Sequence, residues 1–513
     1  MPTGCVCVTP VAVAPYDSDD EALEAYEREV SSRTSAWEPA MPKPPAAERT
    51  RAVDAYGFEL QLTPEAARAR LRCAASAERR APRWRVYRVD ETDAAMRDAR
   101  GRRLAKKSSV DANLTRLIRK GVPRDFRRRA WMSVSGAASR RAAAPEGHYA
   151  RVLRDAENSL KVLRTTNDEK RDGEKRDGDE RRKNQKTDDA TKKETDVLST
   201  LGSSLAPFAA QIDLDIPRTF PENPLYHGVG AGGGGRAAVR NVLLAYAAEH
   251  PETGYCQGMN YVAAFLWLAV SRGEPREDAE GNETGEKKEK ASEADTEETT
   301  YWLFSCLVDD VMAPEIFARD MRGTLREFRT LSLLLRSKTP KTHAHLARHD
   351  MDLCMLQSKW LLCVFTDSFP AETTARVLDV VFAEGHKAWL RVCVAMMVAH
   401  GDAIRKAAHV PDAMAILKRA FAEQHDADAL LKAAHSRRWV GAFSRQIVAK
   451  ARTSAETQLR REAEAAAKAR AARESKNARR IAEGNKKGAG GGEEADRAVS
   501  AGEEEKNDDE KKR

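Results

Sequence analysis

Apolar side chains recur along this chain at intervals of three and four residues, which is the spacing of one face of an α-helix. Val239, Val242, Leu243 and Tyr246 show the full pattern, and a second strongly apolar run begins at Met259. No convincing alternation of period two, the pattern typical of half-buried strands, accompanies these runs. The sequence therefore predicts an all-α fold without a β-sheet.

Two charged stretches interrupt the helical pattern, and they indicate the domain organisation. Residues 165–197 and 272–299 contain few apolar side chains and cannot bury enough surface to offset the entropy of folding. Loop-closure entropy grows only logarithmically with length, so long insertions are tolerated. We therefore expect both stretches to be disordered loops extruded from one helical domain over residues 111–445.

The segments outside this domain have the composition of solvated chain. Residues 1–50 lack periodicity and predict a disordered N-terminal region, and residues 51–110 predict a basic, partly ordered region of unknown role. Residues 446–484 are rich in Ala, Arg, Lys and Glu, which favours a charged helix that could form a coiled coil. Residues 485–513 predict a disordered tail.

Charge and hydropathy exclude several classes of protein. Lys and Arg exceed Asp and Glu by 8 (87 against 79), a mild excess that permits an acidic partner or membrane surface without requiring one. The sequence has no apolar run of about 18 residues, so we expect no membrane-spanning helix, and its start lacks the basic segment of a secretory signal. The cysteines are scattered without a CxxC pair, which favours reduced thiols in a cytoplasmic protein.

The common motifs of nucleotide and metal chemistry are missing from the sequence. It contains no G-x-x-x-x-G-K-[ST], so we expect no nucleotide hydrolysis by this chain alone, and no H-E-x-x-H. The histidines at 343, 345 and 349 are better explained as a polar surface segment than as a metal site. The basic residues within 68–130 lack a groove-reading motif or a base-stacking array, so we expect no cofactor, no metal and no nucleic-acid partner.

Two short segments are candidates for the functional site. In the first, IDLDIPRTFP at residues 212–221, two prolines flank Arg218, which favours a rigid extended loop that presents this side chain to a partner. In the second, GYCQGMN at residues 254–260, Gln257 lies between a turn and an apolar helix. Considered singly, Arg218 could be a surface ion-pair residue and Gln257 a helix cap.

Together with three other stretches, these segments resemble the TBC family of GTPase-activating proteins for Rab GTPases. Residues 212–219 are similar to the family's I-x-x-D-x-x-R-T arginine motif, and residues 255–258 to its Y-x-Q-G glutamine motif. The family's opening and later helical motifs are similar to Gly121-Val122-Pro123 with Arg127 and Trp131, to Ser358-Lys359-Trp360 through Phe369-Pro370, and to residues 379–385. The resemblance covers most of residues 110–445 and implies a two-lobed, all-helical TBC-type domain.

The resemblance also implies a mechanism in which this chain completes the active site of another protein. Arg218 would be an arginine finger and Gln257 a glutamine finger for GTP hydrolysis by a Rab-family small GTPase, which holds the GTP and Mg²⁺ itself. Asp215 would either orient Arg218 or cap a turn. The residues expected to support the two fingers are Asp215, Thr219, Tyr255, Gly258 and Asn260.

The implied setting is cytoplasmic, with peripheral attachment to endomembranes and a role in vesicle trafficking. A second interpretation stays open: the same helical fold could be a catalytically silent adaptor that binds GTPases or trafficking proteins. The charged tails are compatible with this alternative. Retention of both Arg218 and Gln257 argues for activity, because a decayed site would often lack one of them. Arg127 and Trp131 are expected to belong to the scaffold.

Overall fold

The computed structural model describes residues 49–86, 109–174, 189–227, 234–271, 293–351 and 354–509. The disordered region predicted over residues 1–50 thus lies almost wholly outside the described residues. The chain divides into two compact units, Met1–Ala451 and Arg452–Arg513.

Helices form nearly all of the described first unit, as the apolar spacing predicts. In chain order they are α1 Pro64–Val86, α2 Ser109–Lys120, α3 Arg127–Ser135, α4 Ala137–Ala143, α5 His148–Glu174, α6 Asp189–Asp215, α7 Pro224–His227, α8 Gly235–Glu249, α9 Met259–Val270, α10 Glu293–Cys306, α11 Arg322–Lys338, α12 Pro340–Arg348, α13 Cys354–Leu362, α14 Ala371–Glu384, α15 His386–Ala399, α16 Gly401–Arg405, α17 Val410–Ala422 and α18 Ala427–His435. A further helix, α19 Arg445–Asp509, begins in the first unit and forms the described part of the second. Shorter turns of 3₁₀ or π helix occupy Arg124–Phe126, Ile216–Arg218, Leu307–Met312 and Pro314–Ile316.

A small β-hairpin near the start of the described chain corrects the expectation that no sheet is present. Strands β1 Thr50–Val53 and β2 Glu59–Leu62 pair antiparallel, with Ala52 opposite Leu60. The carboxylate of Asp54 accepts hydrogen bonds from the backbone N–H groups of Tyr56 and Phe58 at 2.9 and 3.0 Å, which closes the turn. Four residues per strand are too few for a clear alternation to show in the sequence.

The predicted loop insertions are shorter than their charge suggested. Helix α5 continues to Glu174 and α6 starts at Asp189, so both ends of the 165–197 stretch are helical, and α10 starts at Glu293 within the 272–299 stretch. Lys, Arg and Glu have high helix propensities, so a helix nucleated by packing can extend into charged sequence. The remaining parts, 175–188 and 272–292, lie outside the described residues.

Helix α9 lies at the centre of the core and leads directly out of the glutamine motif. All of its residues are buried except Tyr261, which is partly exposed. It packs against α8 and α10, whose apolar faces complete its surroundings. A helix that is apolar around its whole circumference is stable only when enclosed in this way, so the start of α9 is a rigid base for the preceding turn.

The opening motif joins α3 to α14 through a buried ionic cluster. Arg127 and Asp379, both fully or almost fully buried, approach to 3.3 Å, and Arg127 also pairs with Glu372 at 2.6 Å. Asp379 further accepts hydrogen bonds from the Trp131 indole at 2.9 Å and from the Val122 backbone at 3.1 Å. Arg127 and Trp131 therefore occupy the scaffold positions predicted for them.

The C-terminal helix α19 extends past the predicted boundary at residue 484. The tail predicted as disordered over residues 485–513 is helical as far as Asp509, and the last four residues lie outside the described part. Ala and charged residues favour helix over residues 446–484, whereas the glycine run at 490–492 opposes it, so composition did not predict a helix over the tail. The coiled coil stays a prediction. Within the described residues, none of the helices is both long enough and apolar enough to cross a bilayer.

Candidate functional site

The arginine motif lies at the end of α6 and forms a helical turn, which corrects the predicted extended loop. Helix α6 ends at Asp215, and Ile216–Arg218 adds one turn of 3₁₀ helix. Pro217 fits this turn because its fixed φ matches the helical range and its missing N–H is not needed at a helix start. The turn ends at Thr219, whose backbone N–H donates to Ile216 O at 3.2 Å and whose hydroxyl donates to Asp215 O at 2.8 Å.

Arg218 is exposed beside a buried carboxylate. Its side chain is 53% exposed, whereas that of Asp215 is fully buried. The Nη2 atom of Arg218 donates to Asp215 Oδ1, which also accepts a hydrogen bond from Gln211 Nε2 at 3.0 Å. Asp215 thus holds one N–H group of the guanidinium, and the other N–H groups donate no hydrogen bond to the described residues.

The glutamine motif forms a tight turn into α9. Gln257 is exposed, and its carboxamide makes no hydrogen bond to the described part of the chain. The next residue, Gly258, has a φ of +113°, a conformation that side chains disfavour. The Gly258 N–H donates to Asn260 Oδ1 at 3.0 Å, so Asn260 caps the turn that carries Gln257.

Two side-chain hydrogen bonds join the arginine motif to the glutamine motif. The Tyr255 hydroxyl donates to Asp215 Oδ2 at 2.6 Å, and Asn260 Nδ2 donates to Thr219 Oγ1 at 2.7 Å. Along the arginine segment, Arg218 lies between Asp215 and Thr219. Along the glutamine segment, Gln257 lies between Tyr255 and Asn260. Side-chain hydrogen bonds therefore link the predicted site residues Asp215, Arg218, Thr219, Tyr255 and Asn260. Gln257 is held only through the backbone of its turn, which Gly258 and Asn260 shape.

The environment keeps the Tyr255 hydroxyl in its protonated, donating form. Burial raises the pKa of Tyr255, and the adjacent Asp215 carboxylate raises it further. Burial also raises the pKa of the Cys256 thiol, whose side chain is partly buried, to about 11. Within the described residues, no group of three or more His, Cys, Asp or Glu side chains is arranged to hold a metal ion.

Residues that sequence reasoning did not assign to the site also brace the arginine segment. The Tyr261 hydroxyl donates to Arg218 O at 3.4 Å, and the Tyr261 ring meets Phe220 edge-on at 5.2 Å between centroids. Tyr261 lies in the first turn of α9, directly after the glutamine motif, and no pattern in the sequence marked it as a site residue.

The N-terminal hairpin packs against the same segment. The Phe58 ring contacts Phe220 edge-on at 5.0 Å between centroids, and Asn223 Nδ2 donates to Tyr56 O at 2.9 Å. Phe220 follows Arg218 by two residues and has a φ of +40°. This backbone conformation is strained, and the ring contacts with Phe58 and Tyr261 hold the residue in it. A region predicted only as basic and partly ordered thus contributes to the position of Arg218.

Comparison with known proteins identifies the family and the fold of the chain. The Rab-GTPase-TBC domain family matches residues 124–404. Growth hormone-regulated TBC protein 1 of Mus musculus is 27% identical over 314 residues, which cover 58% of this chain and 67% of the relative, and Growth hormone-regulated TBC protein 1-A of Danio rerio is 27% identical over 406 residues, which cover 77% and 87%. The chain therefore spans about two thirds or more of these relatives.

A solved structure shares the fold. The crystal structure of the Chlamydomonas flagellar RabGAP TBC domain aligns with a TM-score of 0.53 and 25% identity, covering 75% of this chain and all of that domain. The helical architecture, the linked arginine and glutamine motifs and the match over more than half of the sequence lead to one conclusion. This chain belongs to the Rab-GTPase-TBC domain family.

Proposed function

We propose that this chain accelerates GTP hydrolysis by a small GTPase of the Rab family, to which it supplies Arg218 and Gln257 in trans. The observation that supports this proposal is the pair of hydrogen bonds, Tyr255 to Asp215 and Asn260 to Thr219, that ties the two motifs together. The family points to a Rab GTPase as the class of partner. The partner would hold GTP and Mg²⁺, and this chain alone would hydrolyse nothing.

Arg218 suits the stabilisation of a transferring phosphoryl group. Its guanidinium is always charged and offers several N–H donors in a plane, of which the structure commits one to Asp215. In a dry interface the fixed positive charge would oppose the negative charge that develops on the phosphoryl oxygens. Arginine fingers in GTPase systems contribute about 10³–10⁵ in rate.

Gln257 suits the attacking water. Its carboxamide can accept a hydrogen bond from that water and donate one to a phosphate oxygen. The side chain is exposed at the start of a buried helix, so its backbone is held while its amide is unengaged. This arrangement lowers the entropy lost when the water is positioned.

The test is phosphate release from a panel of GTP-loaded Rab GTPases in the presence of the full chain. Arg218→Ala and Gln257→Ala should each remove most of the stimulation on any GTPase that responds, without a change in the circular dichroism spectrum. Arg240→Ala is the matched control, because Arg240 is also an arginine paired with an aspartate of α6, Asp213, at 2.6 Å. This control should stimulate like the wild type.

Equal stimulation of every responsive GTPase by the wild type and by Arg218→Ala would contradict the proposed role of Arg218 as an arginine finger. Binding of a GTP-loaded Rab without any acceleration of hydrolysis would instead indicate the catalytically silent adaptor.

A further inference from the structure

A basic cleft of about 910 Å³ lies between α1, α2 and α18. This volume falls within the roughly 300–1,000 Å³ typical of small-molecule sites. All three helices lie outside residues 124–404, the part that the family model matches. Helix α1 contributes Arg79, Arg80 and Arg83, which the helical spacing places on one face.

The other two helices add further cations. Helix α2 contributes Arg116, Arg119 and Lys120, and α18 contributes Lys432. Among the described lining residues, Asp428 is the single carboxylate, against seven Lys and Arg side chains. A concave surface lined by one sign of charge concentrates counter-ions of the opposite sign.

Internal ion pairs neutralise only part of this charge. Asp428 is shared between Arg80 and Arg376, each at 3.2 Å, and Glu384, behind the cleft, is shared between Arg119 at 2.5 Å and His435 at 3.1 Å.

Four lining cations lack such a partner. The residues that form no ion pair with a carboxylate of the described residues, and that are all exposed, are Arg79, Arg83, Lys120 and Lys432. A ligand that enters the cleft would therefore meet uncompensated positive charge on all three helices.

The walls of the cleft are fixed before any ligand binds. The buried Trp84 indole donates to Gly121 O at 3.0 Å, and Arg80 donates to the backbone oxygen of Lys120, so α1 is tied to the end of α2. Burial lowers the pKa of Arg80, and Asp428 opposes this effect, so an additional anion would also stabilise the charged guanidinium. A site formed in advance loses less conformational entropy on binding.

The lining chemistry narrows the class of ligand. Arginine forks match phosphate oxygens with paired hydrogen bonds, and five of the seven cations are arginines. Among the described lining residues, Leu431 is the one apolar side chain, and His435, which pairs with Glu384 at 3.1 Å, is the one aromatic ring. The described lining thus offers neither the row of aromatic rings on which successive nucleic-acid bases stack nor the apolar pockets that peptides use.

We propose that this cleft binds a compact ligand that carries several phosphate groups, of the inositol polyphosphate type. The same chemistry exists in a soluble molecule and in the headgroup of a membrane lipid. Binding of this ligand to the cleft does not depend on the proposed activity toward a GTPase. A direct binding measurement therefore tests it.

The experiment compares two probes on the full chain. Calorimetry with inositol hexakisphosphate measures the soluble form, and co-sedimentation with phosphatidylcholine vesicles, with and without phosphatidylinositol bisphosphate, measures the lipid form. We expect saturable binding to at least one probe. The triple variant Arg79→Glu, Arg83→Glu, Lys432→Glu should weaken it at least tenfold, because charge-assisted contacts are lost and repulsion is added.

The control is a triple variant with the same change in net charge at exposed residues away from the cleft: Arg68→Glu, Arg154→Glu and Arg348→Glu. It should bind within about threefold of the wild type at physiological salt. Circular dichroism and the thermal midpoint establish that both variants fold. No binding to either probe by the wild type, or an equal loss in both variants, would overturn the proposal, as would binding of single-stranded RNA in preference to both probes.

Discussion

Gly258 is the residue at which the site depends most directly on the absence of a side chain. Its φ of +113° is unfavourable for any other amino acid, and a Cβ atom placed there would lie 3.0 Å from the Cβ of Leu362 and 3.2 Å from the backbone oxygen of that residue. The turn that carries Gln257 therefore packs directly against the end of α13. The Y-x-Q-G pattern marks this glycine, but only the contact explains it.

Gly258→Ala should destabilise the protein more than Gly147→Ala does. Both glycines have positive φ, but a Cβ at Gly147 would have no atom within 4 Å, so that substitution measures the backbone penalty alone. We expect about 1 kcal/mol for Gly147→Ala and about 2–3 kcal/mol for Gly258→Ala, because contact with Leu362 adds to the strain. Urea unfolding measures both. Equal losses in the two variants would mean that the contact is relieved without cost.

At the scale of elements, α3 and α14 are joined by charge that is buried inside the scaffold. Arg127 is 1% exposed and lies between Asp379 and Glu372, whereas Arg141 on α4 pairs with Asp295 and Glu298 at 3.2 and 2.9 Å while 36% exposed. The two arginines make similar contacts in very different surroundings.

Arg127→Leu should cost about 3–5 kcal/mol of unfolding free energy, because it leaves the Asp379 carboxylate buried beside one fewer cation. Arg141→Leu should cost less than about 1 kcal/mol, since exposed ion pairs are screened by water. Chemical denaturation at fixed pH compares them. Losses of the same size would show that the buried cluster rearranges around an apolar side chain.

At the scale of the whole molecule, His400 links folding to pH. It is buried where α15 meets α16, and burial lowers its pKa to about 4 from the ordinary 6.5. Between these values the unfolded chain binds a proton at this side chain and the folded protein does not. The contribution of His400 to stability is therefore complete above pH 6.5 and is lost as the pH falls toward 4.

His400→Gln should flatten this dependence. The wild type should lose up to about 3 kcal/mol more than the variant between pH 6.5 and about 4, because a shift of one pKa unit corresponds to about 1.4 kcal/mol. Unfolding midpoints across this interval provide the measurement. His409→Gln, at an exposed position, should follow the wild type. Parallel curves for the wild type and His400→Gln would contradict the assignment.

The sequence by itself determined the features that depend on near neighbours in the chain. Spacing of three and four residues is a property of a single helix, so the apolar runs through Val242 and Met259 were sufficient to predict α8 and α9. The motifs likewise marked Arg218 and Gln257 as candidates, because each motif is a short pattern of neighbouring residues. Charge was a weaker guide, because charged residues also favour helix, and α5 extends to Glu174 for that reason.

Only the tertiary structure decided which distant segments meet. The contact of Tyr255 with Asp215 spans forty positions, that of Phe58 with Phe220 far more, and the cleft joins helices that lie more than three hundred residues apart in sequence. Such contacts arise from the packing of many buried side chains at once, so a local sequence pattern does not predict which distant residues meet.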